Sequence, residues 1–232
     1  MPGIQVVLWD IDGTLLDFHA AEAAAIRALF QKYQFGTCTD EMLSRYVQIN
    51  AVFWQRLERG ELTKPQVLTG RFDMFFREFG LDTGCVEAFN ADYQLALGDT
   101  VRFHPGGLET VLALKGKLPQ YAVTNGTLVA QKKKLAASGL DRLLDGIFIS
   151  DVIGIEKPNI GFFQAVWDKI GNYPPESVLI VGDSLTSDIQ GGVNAGIRTC
   201  WFNPHRSPAP EDLRIDHEIT ALSQVLQICG ME

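Results

Sequence analysis

The run 4–9, Ile-Gln-Val-Val-Leu-Trp, is short, apolar and rich in β-branched residues, and it stops abruptly at Asp10-Ile11-Asp12-Gly13-Thr14. A run of that length and composition reads as a parallel strand buried on both faces, which needs helices above and below it. Comparable runs lie at 121–124, 146–149, 177–181 and 197–201, separated by helical patterns at 107–117, 128–138, 160–170 and 187–195. The alternation predicts an α/β fold with a parallel sheet covered on both faces.

The block between the first strand and the second has no strand pattern. The stretch 20–35 is rich in Ala, and Leu68, Phe72, Phe75, Phe76 and Phe79 recur at helical steps, the pattern of a helix-bundle core. An inserted all-helical domain over 18–102 is therefore expected, with Pro105-Gly106-Gly107 at the return to a core formed by 1–17 and 103–232. At 232 residues the chain suits such a division, since domains typically span roughly 100–200 residues.

A net charge of −8 argues against nucleic-acid polymers and anionic membranes as partners, because both call for a basic surface. A small anionic substrate would need a local cation or helix N-termini to offset the repulsion. Cys38, Cys85, Cys200 and Cys229 are widely spaced, without zinc-ligand patterns, and read as reduced structural thiols. No leader or apolar run long enough to span a bilayer is apparent, so a soluble cytoplasmic protein is expected.

Polar clusters close four of the strands. In an open parallel sheet, ligands bind beyond the carboxyl ends of the strands, and Asp10 and Asp12 stand there after the first. Two acids so placed can divide labour, one attacking phosphorus as a carboxylate and the other carrying a proton to the leaving oxygen and then activating water. An Asp-x-Asp-Gly sequence is also ordinary turn chemistry, and alone decides nothing. After the second strand, Thr124-Asn125-Gly126 offers a hydroxyl, an amide and exposed N–H groups for phosphate oxygens, although such residues also serve as helix caps. After the third, Lys157-Pro158 supplies a point charge for a phosphoryl group. Lys132-Lys133-Lys134, within a helix, reads instead as a solvated face. After the fourth come Asp183 and Asp188. Asp10, the backbone oxygen of Asp12, and Asp183 form a hard-oxygen set suited to Mg2+, with Asp188 in support or simply favouring a helix N-terminus.

In this order, Asp10-x-Asp12-Gly13-Thr14, Thr124-Asn125, Lys157-Pro158 and Gly182-Asp183-Ser184-x3-Asp188 resemble the four motifs of the haloacid dehalogenase (HAD) superfamily, over nearly the whole chain. The resemblance implies a Rossmann-like core with a helical cap inserted after the first motif. It implies Asp10 as nucleophile, Asp12 as general acid/base, Thr124, Asn125 and Lys157 as phosphate holders, and Asp10, Asp12 and Asp183 as magnesium ligands. The dehalogenases of the superfamily lack the second acid of the first motif, so Asp12 favours phosphoryl transfer.

A narrower likeness runs through Asn50-x3-Trp54-x5-Gly60-x2-Thr63-x7-Arg71-Phe72 and, near the end, Asp188-Ile189-x-Gly191-Gly192-x-Asn194-Ala195-Gly196-x2-Thr199-Cys200-Trp201-x-Asn203. It is similar to the bacterial pyrimidine 5′-nucleotidases of that superfamily, which implies a nucleoside monophosphate as substrate. Trp54 could stack on a base and Arg71 could meet a ribose or phosphate, or both could pack the cap. A monomer or a homodimer fits equally well. The rivals are a sugar phosphomutase, a phosphatase for phosphoglycolate or a similar small metabolite, and a binding protein on an inactive scaffold.

Overall fold

The structure is a computed structural model describing residues 3–171 and 173–231. In chain order, β1 (Val6–Trp9) is followed by four helices, α1 (Phe18–Lys32), α2 (Asp40–Glu58), α3 (Lys64–Phe79) and α4 (Val86–Ala96). Then come α5 (Gly107–Leu114), β2 (Gln120–Thr124), α6 (Leu128–Ser138), α7 (Leu140–Leu143), β3 (Gly146–Ile149), α8 (Ser150–Ile153) and α9 (Ile160–Ile170). The chain closes with β4 (Val178–Gly182), α10 (Gln190–Ala195), β5 (Arg198–Phe202), β6 (His217–Ile219) and α11 (Gln224–Ile228). Two compact units result, one of Met1–Phe18 with Val101–Glu232 and the other of His19–Thr100.

The first unit is a six-stranded parallel sheet in the order β3-β2-β1-β4-β5-β6. This is the α/β architecture that the strand and helix alternation predicts, with one strand more. β6 has only three residues, one of them an exposed Glu218, too short a run to stand out as a strand.

Side-chain alternation divides each central strand between two cores. Val7 and Trp9 of β1 join Leu179 and Val181 of β4 in a cluster completed by Val111, Leu114, Leu135, Leu140 and Val225 from the helices on that face. Val6 and Leu8 join Val178 and Ile180 against Phe162, Phe163 and Val166 of α9 on the other. Apolar burial on both faces, at roughly 25 cal/mol per Å², explains why these strands carry almost no polar residue until they end. Trp9 lies opposite Ala122 of β2 and Val181 of β4, so the residues after β1, β2 and β4 emerge along one edge.

The second unit packs α1–α4 around an aromatic core of Phe30, Tyr46, Phe72, Phe75, Phe76, Phe89 and Tyr93, all fully buried. Tyr46 stacks on Phe72 with ring centres 5.1 Å apart, and Phe89 meets Phe72 edge-on at 5.0 Å. α2 starts at Thr39, whose hydroxyl accepts from the Met42 N–H at 3.2 Å. α3 starts at Thr63, whose N–H donates to Gln66 Oε1 at 2.8 Å, and ends at Gly80 in the left-handed region. No helix among the described residues is long and apolar enough to cross a membrane.

Candidate active site

β1 delivers Asp10 directly to the sheet edge, its N–H still donating to Val181 O of β4 at 2.9 Å. The chain then turns tightly, with Leu16 N–H donating to Ile11 O and Gly13 N–H to Leu16 O, both at 2.8 Å. Gly13 adopts φ +97°, and a Cβ there would lie 2.6 Å from Asp183 Oδ2. Only glycine lets the first loop approach the fourth-strand loop so closely.

The Asp10 carboxylate accepts from Lys157 Nζ at 2.9 Å through Oδ1, and from Thr14 Oγ1 at 3.1 Å through Oδ2. Thr14 Oγ1 also lies 3.0 Å from Asp183 Oδ1 and accepts the Asp183 N–H at 3.0 Å. Its one hydroxyl proton is therefore shared between two carboxylates. Lys157, fully buried, spends its remaining donors on Asp188 Oδ1 at 2.6 Å and Val123 O at 2.7 Å. Asp188 in turn accepts the Ser184 N–H through Oδ2 at 3.2 Å. It reaches this position because Leu185–Ile189 forms a wide π-type turn ahead of α10, and because Gly182 has no side chain where the Asp188 carboxylate passes.

One carboxylate oxygen from each of Asp10, Asp183 and Asp188 can be chosen so that all three lie within 4.8 Å of one another. Burial lifts the Asp10 carboxyl well above the ordinary carboxylate range, Asp188 and Asp183 add to the effect, and Lys157 opposes it. Burial and then Asp188 push Asp183 up to about 7, with Thr14 pulling the other way. Burial would by itself lower the Lys157 ammonium, but Asp10 and Asp188 together raise it. Three acids crowded around one ammonium are short of positive charge. A hard divalent cation such as Mg2+ fits a donor set of this kind, and Asp188 lies near enough to Asp10 and Asp183 to join it.

The Asp12 carboxylate is not a member of this cluster. Its Oδ1 accepts from Lys134 Nζ at 2.5 Å and its Oδ2 from Gln131 Nε2 at 2.6 Å, both from α6. This corrects the expectation of a solvated lysine face at 132–134. Lys132 is exposed and Lys133 half-buried, but Lys134 is buried, because α6 turns the third lysine toward the loop after β1. Gln131 and Lys134 are the residues that sequence reasoning missed. The legible signal was their three-residue spacing, which places them on one helix face.

The second-strand cluster has protein partners of its own. Thr124 Oγ1 accepts the Gly126 N–H at 3.0 Å. Asn125 forms a reciprocal pair with the backbone of Lys157, donating from Nδ2 to Lys157 O and accepting the Lys157 N–H at Oδ1, each at 2.9 Å. The amide thus fixes the segment that carries the lysine.

In the helical unit, Trp54 is half-buried on α2. Arg71 is only 1% exposed, with Nη1 donating to Asn50 Oδ1 at 2.6 Å and the guanidinium over the rings of Phe72 and Tyr93, about 5 Å from each centroid. Asn50 Nδ2 passes the link on to Glu22 Oε1 at 2.9 Å. Several of the remaining residues in the narrower likeness serve packing. A Cβ at Gly192 would lie 2.6 Å from Thr199 and 2.8 Å from Ile180, Asn194 Nδ2 donates to Pro158 O at 3.0 Å, and Trp201 Nε1 donates to Asp183 O at 2.9 Å.

Three relatives extend the comparison. YfnB of Bacillus subtilis, a HAD-hydrolase, is 34% identical over 100% of this chain and 98% of its own. Its crystal structure, bound to magnesium and described as revealing interdomain movement, superposes with a TM-score of 0.92 over 99% of this chain and 100% of that one. The pyrimidine 5′-nucleotidase PynA of Streptococcus pneumoniae is 33% identical over 96% of this chain and 93% of its own. The pyrimidine 5′-nucleotidase YjjG of Escherichia coli is 29% identical, covering 96% of each chain. The family model for haloacid dehalogenase-like hydrolases matches residues 4–196, from the first strand through α10, and the chain belongs to that family.

Proposed function

We propose that this chain is a magnesium-dependent phosphatase acting on small phosphorylated metabolites, with pyrimidine nucleoside monophosphates as the substrate class. The observation that carries the reading is the separation of two carboxylates only two residues apart. Asp10 is held by Lys157 and Thr14 within the acidic cluster, whereas Asp12 is held by Gln131 and Lys134 outside it. Two acids with different partners suit two different tasks.

In the proposed cycle, a carboxylate oxygen of Asp10 attacks phosphorus while the bond to the leaving oxygen breaks, and the proton carried by Asp12 passes to that oxygen. A water then yields a proton to Asp12 as it attacks the aspartyl-phosphate, which releases inorganic phosphate and restores the Asp10 carboxylate. Lys157, whose three donors go to Asp10, Asp188 and Val123 O, is proposed to supply positive charge beside the phosphoryl group, and the Thr124 hydroxyl to donate to its oxygens, with Asn125 keeping the Lys157 backbone in place. Asp10, Asp183 and Asp188, with the backbone oxygen of Asp12, would hold the magnesium ion. Bound there, it supplies the positive charge that this cluster lacks and the anionic substrate needs.

The substrate class is supported by the two pyrimidine 5′-nucleotidases among the relatives. The helical unit is proposed as the cap that selects the substrate, with Trp54 stacking on the base. Arg71 is proposed to act through Asn50, since its guanidinium is already engaged within that unit.

The test is a panel of nucleoside monophosphates, sugar phosphates and phosphoglycolate compared by kcat/KM, alongside Asp10→Asn. A preference for UMP, dUMP or dTMP, abolished by Asp10→Asn, is expected. A flat panel would refute the substrate class. Survival of magnesium-dependent hydrolysis of p-nitrophenyl phosphate in Asp10→Asn would refute the mechanism.

A further inference from the structure

Lysine and glutamine are rarely buried, yet Lys134 and Gln131 of α6 are 2% and 0% exposed. Both are turned toward one side chain. Lys134 Nζ donates to Asp12 Oδ1 and Gln131 Nε2 to Asp12 Oδ2, so each oxygen of that carboxylate has its own donor. The two donors sit three positions apart on one helix, and hence on one face of a rigid element.

Two further observations show that room was made for this arrangement. A Cβ on Gly126 would overlap the Gln131 side-chain amide, so the loop after β2 gives up a side chain where Gln131 crosses it. Gln131 Oε1 is buried without a hydrogen-bond partner. An unpartnered buried acceptor is costly and normally selected against, and here it accompanies the orientation that aims Nε2 at Asp12. α6 itself is anchored at its start, where Thr127 Oγ1 accepts the Ala130 N–H at 3.3 Å and Asp151 Oδ2 accepts the Leu128 N–H at 2.8 Å. The Lys134 ammonium also lies 4.9 Å from the centre of the Phe18 ring, which covers its approach.

We propose that Gln131 and Lys134 are positioning residues that lock both torsions of the Asp12 side chain, so that its carboxyl meets the leaving oxygen and then the attacking water at a fixed place. The inference rests on the assignment of Asp12 as the acid/base. An aspartate beside a glycine-hinged loop has two free torsions, and proton transfer requires a heavy-atom separation of about 2.6–3.2 Å. A misplacement of about 1 Å costs on the order of 100-fold in rate. Two donors from one helix remove that freedom, and neither needs to touch the substrate.

Leaving-group dependence distinguishes this role from general damage. Single-turnover formation of the phosphoenzyme is measured with a nucleoside monophosphate, whose alkoxide must be protonated, and with p-nitrophenyl phosphate, whose phenolate leaves with little help. For Lys134→Met and Gln131→Met, the rate with the nucleotide is expected to fall about 100-fold, with p-nitrophenyl phosphate losing less than about 5-fold and KM little changed. Lys134→Arg, which keeps a donor for Asp12, is expected to recover most of the loss. Unfolding midpoints show that each variant is folded, and the glutamine and lysine variants serve as independent tests should one fail to fold. Equal losses with both substrates in a folded variant, or no loss, would overturn the proposal while leaving the Asp12 assignment intact. If Asp12→Asn itself shows no leaving-group dependence, that assignment fails and takes this inference with it.

Discussion

Lys157 Nζ and Asp188 Oδ1 lie 2.6 Å apart, with both side chains 1% exposed, and the same ammonium reaches Asp10 at 2.9 Å. One cation thus serves two buried acids from different loops. The Lys157 ammonium is raised above its ordinary value by these partners, so its stabilising contribution is complete below the unfolded lysine value and is lost only as pH rises through the higher folded one. Across the neutral range that contribution is constant.

Lys157→Met should therefore harm the protein in two separable ways. It leaves Asp10, Asp188 and Val123 O without their shared donor, which should cost about 3 kcal/mol in urea unfolding, the scale for breaking a buried pair by removing one partner. Hydrolysis should fall by about 10³-fold even where the variant is folded, because the positive charge proposed to stand beside the phosphoryl group is gone. A folded variant with activity within 10-fold of the parent, roughly 1.4 kcal/mol, would remove Lys157 from phosphate binding.

The acids set the pH dependence. Asp183 is pushed up to about 7 from an ordinary value of 3.8, so the metal-free protein holds this contribution fully below the ordinary value and loses it as pH rises through about 7. Asp10 is shifted in the same direction. Without metal, thermal stability should decline between pH 5 and pH 8. Mg2+ favours ionised carboxylates and should raise Tm more at pH 8 than at pH 5. Asp183→Asn should make the metal-free decline shallower without abolishing it. A magnesium-induced rise in Tm that is the same at both pH values would show that these carboxylates do not hold the ion.

Arg71→Met tests the interior of the helical unit. The arginine donates to Asn50, which donates to Glu22, so its removal leaves a buried amide and the carboxylate behind it less well partnered. A loss of about 2–3 kcal/mol is expected in urea unfolding, the range for a hydrogen bond from a charged donor. If Arg71 instead contacts the substrate directly, the variant should unfold like the parent and lose kcat/KM for nucleotides alone.

Much of the core is legible in the residues themselves. A strand buried on both faces has to be short, apolar and β-branched, and its first polar residues have to fall at its end. That local requirement makes β1 and β4, and with them Asp10, Asp12, Asp183 and Asp188, recognisable without any knowledge of their neighbours. β6 escaped the same logic because a three-residue edge strand needs no apolar run.

What the tertiary structure alone decided is which polar residues face one another. Gln131 and Lys134 lie 119 and 122 positions from Asp12; their three-residue spacing puts them on one helix face, but nothing local shows that this face meets Asp12 while Lys132 stays exposed. Asn125 and Lys157 are 32 apart, and only the fold brings the amide onto the lysine backbone. Asp188 joins Asp10 and Asp183 because a wide turn and a side-chain-free Gly182 let it in. Periodicity reports how a segment is buried, which is a property of that segment. Hydrogen bonds and ion pairs across the site depend on where distant segments are brought together, and that is settled only when the sheet assembles.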